Sequence, residues 1–231
     1  MIVRALLLLC LALFTATPRA TALIVPFTED FTSGASNWLN GSSAAPTWSA
    51  TGGVDDGGYI SAPGAISAGG FGTIVFRGNA AVDASGDAFV GNWLTGGVST
   101  FSAFVRHDAP VALNFYARLD AGSGRAASSV DFSVPVGSWY QLNIPITEAS
   151  FQSYGAAGTG TAAFNSVFSS ILNVQFALSS TQDPSTAGQT YDVSLDRVGI
   201  VPEPSIAALG SLALLGFLAS RGIVLLRIRN R

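Results

Sequence analysis

The stretch Val111-Ala112-Leu113-Asn114-Phe115-Tyr116-Ala117-Arg118-Leu119 decides the fold class. In an extended chain successive side chains point to opposite faces. Val111, Leu113, Phe115, Ala117 and Leu119 therefore share one side, and Asn114, Tyr116 and Arg118 share the other. One apolar and one polar face is the signature of a strand lying between a core and water. The same alternation predicts strands over residues 24–31, 47–51, 73–76, 98–106, 130–134, 139–146, 174–178 and 191–200. Between them lie glycine pairs such as Gly52-Gly53, Gly57-Gly58, Gly69-Gly70 and Gly96-Gly97, which suit tight connections. Only residues 162–172 place apolar groups (Phe164, Val167, Phe168, Ile171) at helical spacing. Nine short strands with turn signals between them imply an all-β, antiparallel sandwich. No internal repeat of about 20 to 50 residues emerges, which argues against a solenoid or propeller.

Charge is scarce and unevenly placed. Charged residues make up 11% of the 231, against about 25% in an ordinary soluble domain. Every basic residue is Arg. Between Leu23 and Val201 five Arg face thirteen acids, so the central region carries about −8, and the remaining six Arg lie towards the two ends. That balance excludes a nucleic-acid partner for the central domain.

The two ends explain the displaced Arg. Residues 1–22 read as a secretory signal peptide: Arg4 gives the positive start, residues 5–14 an apolar run too short to span a bilayer, and Ala20-Thr21-Ala22 a small-x-small cleavage pattern. Signal peptidase and the Sec machinery are the implied partners, with Leu23 opening the mature chain. The only cysteine, Cys10, lies inside the apolar run, so an exported domain would fold without disulfides. At the other end, Val201-Pro202-Glu203-Pro204-Ser205 precedes an apolar stretch over residues 206–226, interrupted by Arg221 and followed by Arg227, Arg229 and Arg231. About 21 residues suffice to cross a membrane as a helix if Arg221 snorkels to a polar surface, and the basic tail orients the acidic domain outwards. The expected organisation is thus a signal peptide (1–22), an exported sandwich (23–200) and a terminal signal (201–231).

This three-part ending resembles the PEP-CTERM sorting signal of Gram-negative bacteria. The resemblance implies that Pro202, Glu203 and Pro204 are the recognition element for an exosortase, that Arg221, Arg227, Arg229 and Arg231 form the cytoplasmic basic tail, and that the inner membrane holds the precursor transiently. The mature form is then expected at the outer surface or in the exopolysaccharide matrix. The basic cluster departs from the pattern in being split, with Arg221 separated from Arg227.

The central domain resembles the jelly-roll domains of the galactose-binding-like and carbohydrate-binding-module group. The matching pieces are Glu29-Asp30-Phe31 followed by Gly34 and Trp38, then Gly137-Ser138-Trp139-Tyr140-Gln141-Leu142, and Leu195-Asp196-Arg197-Val198 in the last strand. Such domains often hold a structural calcium between first and last strands, which implies Glu29 or Asp30 with Asp196 as oxygen ligands. The other reading of Asp196 is a partner of Arg197 or a water-facing group. Asp-Gly clusters at 55–58 and 83–87 read as turns.

Catalytic patterns are sparse. The only histidine, His107, sits between two predicted strands and reads as a turn residue, and no Gly-x-Ser-x-Gly elbow exists. Glu29 and Glu148 are the only glutamates of the central region, and nothing in their spacing pairs them for glycoside hydrolysis. Binding is easier to support: Trp38, Trp48, Trp93 and Trp139 are the candidates for stacking on sugar rings. Among them Trp93, beside Asn92 in a glycine-flanked segment, is the expected contact. Two readings stay open, a non-enzymatic structural or adhesive surface protein and a calcium-stabilised carbohydrate-binding module that recognises exopolysaccharide; hydrolase activity stands as a third, weaker one.

Overall fold

The computed structural model describes residues 23–67 and 72–202. The expected signal peptide, the apolar stretch 206–226, Glu203, Pro204 and the basic tail (Arg221, Arg227, Arg229, Arg231) lie outside the described residues. No helix among the described residues is long and apolar enough to cross a membrane.

Among the described residues thirteen strands and one α-helix form a jelly-roll sandwich. In chain order they are β1 (Phe27–Glu29), β2 (Leu39–Asn40), β3 (Thr47–Ser49), β4 (Tyr59–Ala65), β5 (Thr73–Asn79), β6 (Val98–His107), β7 (Leu113–Asp120), β8 (Arg125–Ser129), β9 (Phe132–Val134), β10 (Tyr140–Pro145), β11 (Phe151–Gly155), α1 (Thr161–Phe168), β12 (Asn173–Leu178) and β13 (Thr190–Pro202). The front sheet has the order β11-β8-β7-β12-β5-β2, with β9 also paired to β7. The back sheet has the order β10-β6-β13-β4-β3, with β1 also paired to β13. All pairings are antiparallel, and the chain changes sheet at β1 to β2, β2 to β3, β4 to β5, β5 to β6, β6 to β7, β9 to β10, β10 to β11 and β12 to β13.

The alternation read at 111–119 is the packing pattern of β7. Leu113, Phe115, Ala117 and Leu119 are buried while the residues between them are half-buried. They meet the inward row of β6, where Phe101, Ala103 and Val105 are buried. Aromatic rings fill the middle: Phe101 stacks on Phe176 at 5.4 Å, and Trp38 meets Phe31 edge-on at 5.9 Å. Burying such rings supplies the largest apolar contribution available to a domain without disulfides.

Three expectations need correction. His107 is not a turn residue: it ends β6, is buried, and stacks on Phe115 at 6.0 Å. The expected end of the sandwich at residue 200 moves outwards, since Val201 pairs with Thr100 and Pro202 with Val98. Proline lacks an N–H donor and is tolerated at a strand end, so Pro202 closes β13 without breaking it. Four strands (β2, β4, β8 and β11) were not predicted. In β4, Pro63 and Gly64 look like a turn, yet Pro63 lies past the short β3, which covers only Tyr59 to Ser61.

Candidate functional site

The outward side of the front sheet is built by period two from five strands. Registers align Gln152 of β11 with Ser128 of β8, Ser128 with Arg118 of β7, Arg118 with Gln175 of β12, and Gln175 with Arg77 of β5. Four gaps of 4.7–4.9 Å make this polar row about 19 Å long. Its length runs across the strands, enough for several sugar rings end to end.

Arg118 is the centre of the row. Its Nη1 donates to Gln175 Oε1 at 2.6 Å and its Nε donates to the Tyr154 hydroxyl, while Asp120 Oδ2 lies 3.7 Å from Nη1. Tyr154 also accepts from Ser128 Oγ at 3.3 Å, and its ring lies 5.8 Å from the guanidinium. On one side a loop raises a wall: Asn114 Nδ2 donates to Thr181 O, and Gln182 Nε2 donates back to Asn114 O at 2.6 Å. These contacts turn a flat sheet into a half-covered surface. Gln175 is only 3% exposed although it faces outwards.

Two buried polar atoms on the neighbouring strands β5 and β12 have no partner among the described residues. They are Arg77 Nε and Asn173 Oδ1. Arg77 lies opposite Gln175 in the register, and Asn173 lies two residues from Gln175 on the same side of β12. Asn173 sits one register row away, opposite Asp120 and Asn79, and an orphaned buried donor or acceptor costs free energy unless something completes it. Tyr116, on the same face, is held as a neutral phenol because burial pushes its pKa up. It therefore offers an O–H as well as a ring.

The predicted contact Trp93 is elsewhere. It is fully buried, its Nε1 donates to Phe89 O at 2.8 Å, and its ring packs on Phe101 and Phe168. Once the indole N–H finds a backbone acceptor the residue serves the core, and the glycines around it allow its loop to dive inwards. Asn92 shapes that loop by accepting from Thr95 N–H at 3.0 Å. Trp38 is likewise buried, donating to Ser85 Oγ. Trp48 is 38% exposed at the edge of the back sheet and donates to Phe31 O. Trp139 is half-buried and joins Tyr59 and Arg106 over the back sheet.

No group of three His, Cys, Asp or Glu side chains suited to a metal occurs among the described residues. Glu29 Oε1 accepts the Phe31 N–H at 2.9 Å. Asp196 sits where β13 bulges, with Arg197 at φ 46°, and its two oxygens accept the N–H groups of Val54 and Arg197. Burial raises its pKa above the usual carboxylate value of 3.8. Asp196 Oδ2 and the carbonyls of Gly57 and Gly58 converge within 2.6–2.7 Å of the point a Cβ on Gly53 would fill. That lining is all oxygen, so its donor chemistry suits a hard cation. Arg197 pairs with Asp55 at 2.7 Å, and Asp55 and Asp56 form the turn expected of them. Glu148 accepts from Thr161 Oγ1 beside a pocket that does not include Glu29.

No protein-family profile matches the chain, and no curated protein sequence does. Solved structures resemble it at low identity. An exo-beta-agarase shares 14% identity over 78% of this chain and 25% of its own, at a TM-score of 0.49. The chain thus spans about a quarter of that enzyme's length. A family 11 carbohydrate-binding module from Clostridium thermocellum, in complex with a β-1,3-1,4-mixed-linked tetrasaccharide, shares 15% over 78% of this chain and 97% of its own, at 0.46. The L4b domain of human laminin alpha-2 shares 14% over 57% and 83%, at 0.39.

Proposed function

We propose that this protein is a non-catalytic glycan-binding module of the cell surface, with a structural or adhesive role in an exopolysaccharide matrix. The observation that carries the proposal is the outward row Gln152–Ser128–Arg118–Gln175–Arg77, with unpaired Arg77 Nε and Asn173 Oδ1 beside it. Sugar hydroxyls both donate and accept, so one ligand class matches the mixed donors and acceptors of the row. Arg118 would give N–H donors to ring and hydroxyl oxygens, Gln175 and Asp120 would take hydroxyl protons, and Tyr116 and Tyr154 would lie against the apolar sugar faces.

Export and sorting complete the proposal. Pro202 both closes β13 and opens the Pro-Glu-Pro element, so an exosortase acting on that element would cut beside the last strand and release the whole glycan-binding domain. A calcium held by Asp196 with the carbonyls of Gly57 and Gly58 would tie the β13 bulge to the loop after β3 as a structural ion, with no part in chemistry. The test has two arms. In native gels the full-length protein should be retarded by a soluble β-1,3-1,4-mixed-linked glucan or by xylan; migration unchanged by either contradicts glycan binding by this domain. Mass spectrometry of fractionated cells should find the C-terminal peptide ending near residues 202–204 in the outer or extracellular fraction. An intact Arg231 terminus in the inner membrane of cells with an active exosortase contradicts the sorting signal.

A further inference from the structure

The back sheet carries a second cleft, of about 390 Å³, on the side of the molecule away from the Arg118 row. Its floor is Ser61 of β4 and Ser194 of β13, which lie in register with Arg106 of β6. The Arg106 guanidinium is held by rings: its Cζ lies 4.5 Å from the Trp139 ring and 5.2 Å from the Tyr59 ring, which meet edge-on at 5.7 Å. Gly52 O accepts from both Arg106 Nη1 and Trp139 Nε1, which locks the stack. Asp108 and Asp192 form the opposite rim, tied together through the Asp192 N–H and Asp108 Oδ1 at 2.8 Å.

Arg106 makes no ion pair among the described residues, although two carboxylates share its cleft. A fixed guanidinium facing carboxylates is a donor set facing an acceptor set, which matches the two adjacent hydroxyls of a sugar. Tyr59, which lines the cleft, adds ring surface for its C–H face, and Trp139 backs the guanidinium that the cleft presents. One cation against two anions disfavours a carboxylated chain, so the chemistry selects a neutral saccharide. We propose that this cleft is a second glycan site, so that one molecule holds two polysaccharide chains on opposite faces. The bridge, unlike the cleft, rests on the front-sheet reading given above. Because the two sheets pack back to back about 10 Å apart, a single extended chain does not reach both outer faces, and double occupancy becomes cross-linking.

Titration calorimetry of the full-length protein in a sugar-free detergent, with the β-1,3-1,4-mixed-linked tetrasaccharide as probe, tests this. Two sites per molecule are expected in the wild type, one in Trp139→Ala and one in Arg118→Ala. Turbidity on mixing with the soluble parent glucan is expected for the wild type and for neither alanine variant. Trp139→Phe keeps a ring against Arg106 and should retain both sites, which separates lost stacking from lost folding. A single wild-type site that Trp139→Ala leaves intact overturns the cleft and leaves the front-sheet reading standing. A single site that Trp139→Ala abolishes and Arg118→Ala spares supports the cleft, and removes the front-sheet reading and the bridge together. No binding to either face overturns both.

Discussion

The two outward faces each centre on one arginine, and they hold it in different ways. On the front sheet Arg118 is fixed by hydrogen bonds to Gln175 and Tyr154 and by nearby Asp120. On the back sheet Arg106 is fixed by the Trp139 and Tyr59 rings. The first arrangement spreads donors and acceptors along a row about 19 Å long; the second concentrates them in one cleft. Position in the sandwich also decides what a residue type does: Trp93 and Trp139 are both indoles with a backbone acceptor, yet one is core and the other is half-buried outside the back sheet, holding Arg106.

The sharpest way to break this comparison is to truncate both indoles. Trp93→Ala should cost about 3–5 kcal/mol of unfolding free energy in urea, as for other large-to-small core changes, whereas Trp139→Ala should cost far less. Equal losses would erase the distinction between core and face. Asp196→Ala comes next, at about 1–3 kcal/mol, because the N–H groups of Val54 and Arg197 lose their acceptor. Calcium should raise the melting temperature of the wild type and leave that of Asp196→Ala unchanged. If calcium moves neither, Asp196 is a purely polar hub. On the front face, Arg118→Ala should weaken glucan binding about tenfold, equivalent to 1.4 kcal/mol, with little change in stability. A change in stability without a change in binding would make Arg118 a structural residue.

The smallest expected effect is pH dependence. Burial lowers the pKa of His107 below 6.5, with its hydrogen bond to Val134 O and nearby Asp108 acting in the opposite direction. The folded state therefore binds the proton less readily than the unfolded chain. Its contribution to stability is intact above pH 6.5 and falls as pH drops towards the lowered value, by at most about 1.4 kcal/mol per pH unit. Thermal unfolding between pH 7.5 and 5 should show this acid-side loss, and His107→Gln should flatten it. An unchanged profile in the variant would assign the loss to other groups.

Much of the sandwich was legible in the alternation. Residues 98–106, 111–119, 174–178 and 191–200 fall on four of the central strands. The edges were harder, because Arg125–Ser129 is Ala- and Ser-rich and Phe151–Gly155 is brief and mostly polar. Those two strands carry Ser128, Gln152 and Tyr154, so one side of the candidate site was hidden with them. Arg118 and Tyr116 were visible on the polar face of 111–119, but Gln175, the partner of Arg118, lies in a run whose residues are nearly all buried. Its outward direction comes from pairing with Arg118 across the sheet. Trp93 was misplaced because a local sequence shows its glycine neighbours and not the Phe89 carbonyl that satisfies its N–H.

Backbone chemical-shift mapping during titration with the mixed-linked tetrasaccharide tests the central assignment most directly. The largest shifts are expected on Arg77, Tyr116, Arg118, Asn173 and Gln175 of the front sheet. Shifts confined to residues elsewhere, with these five unmoved at saturation, would contradict it.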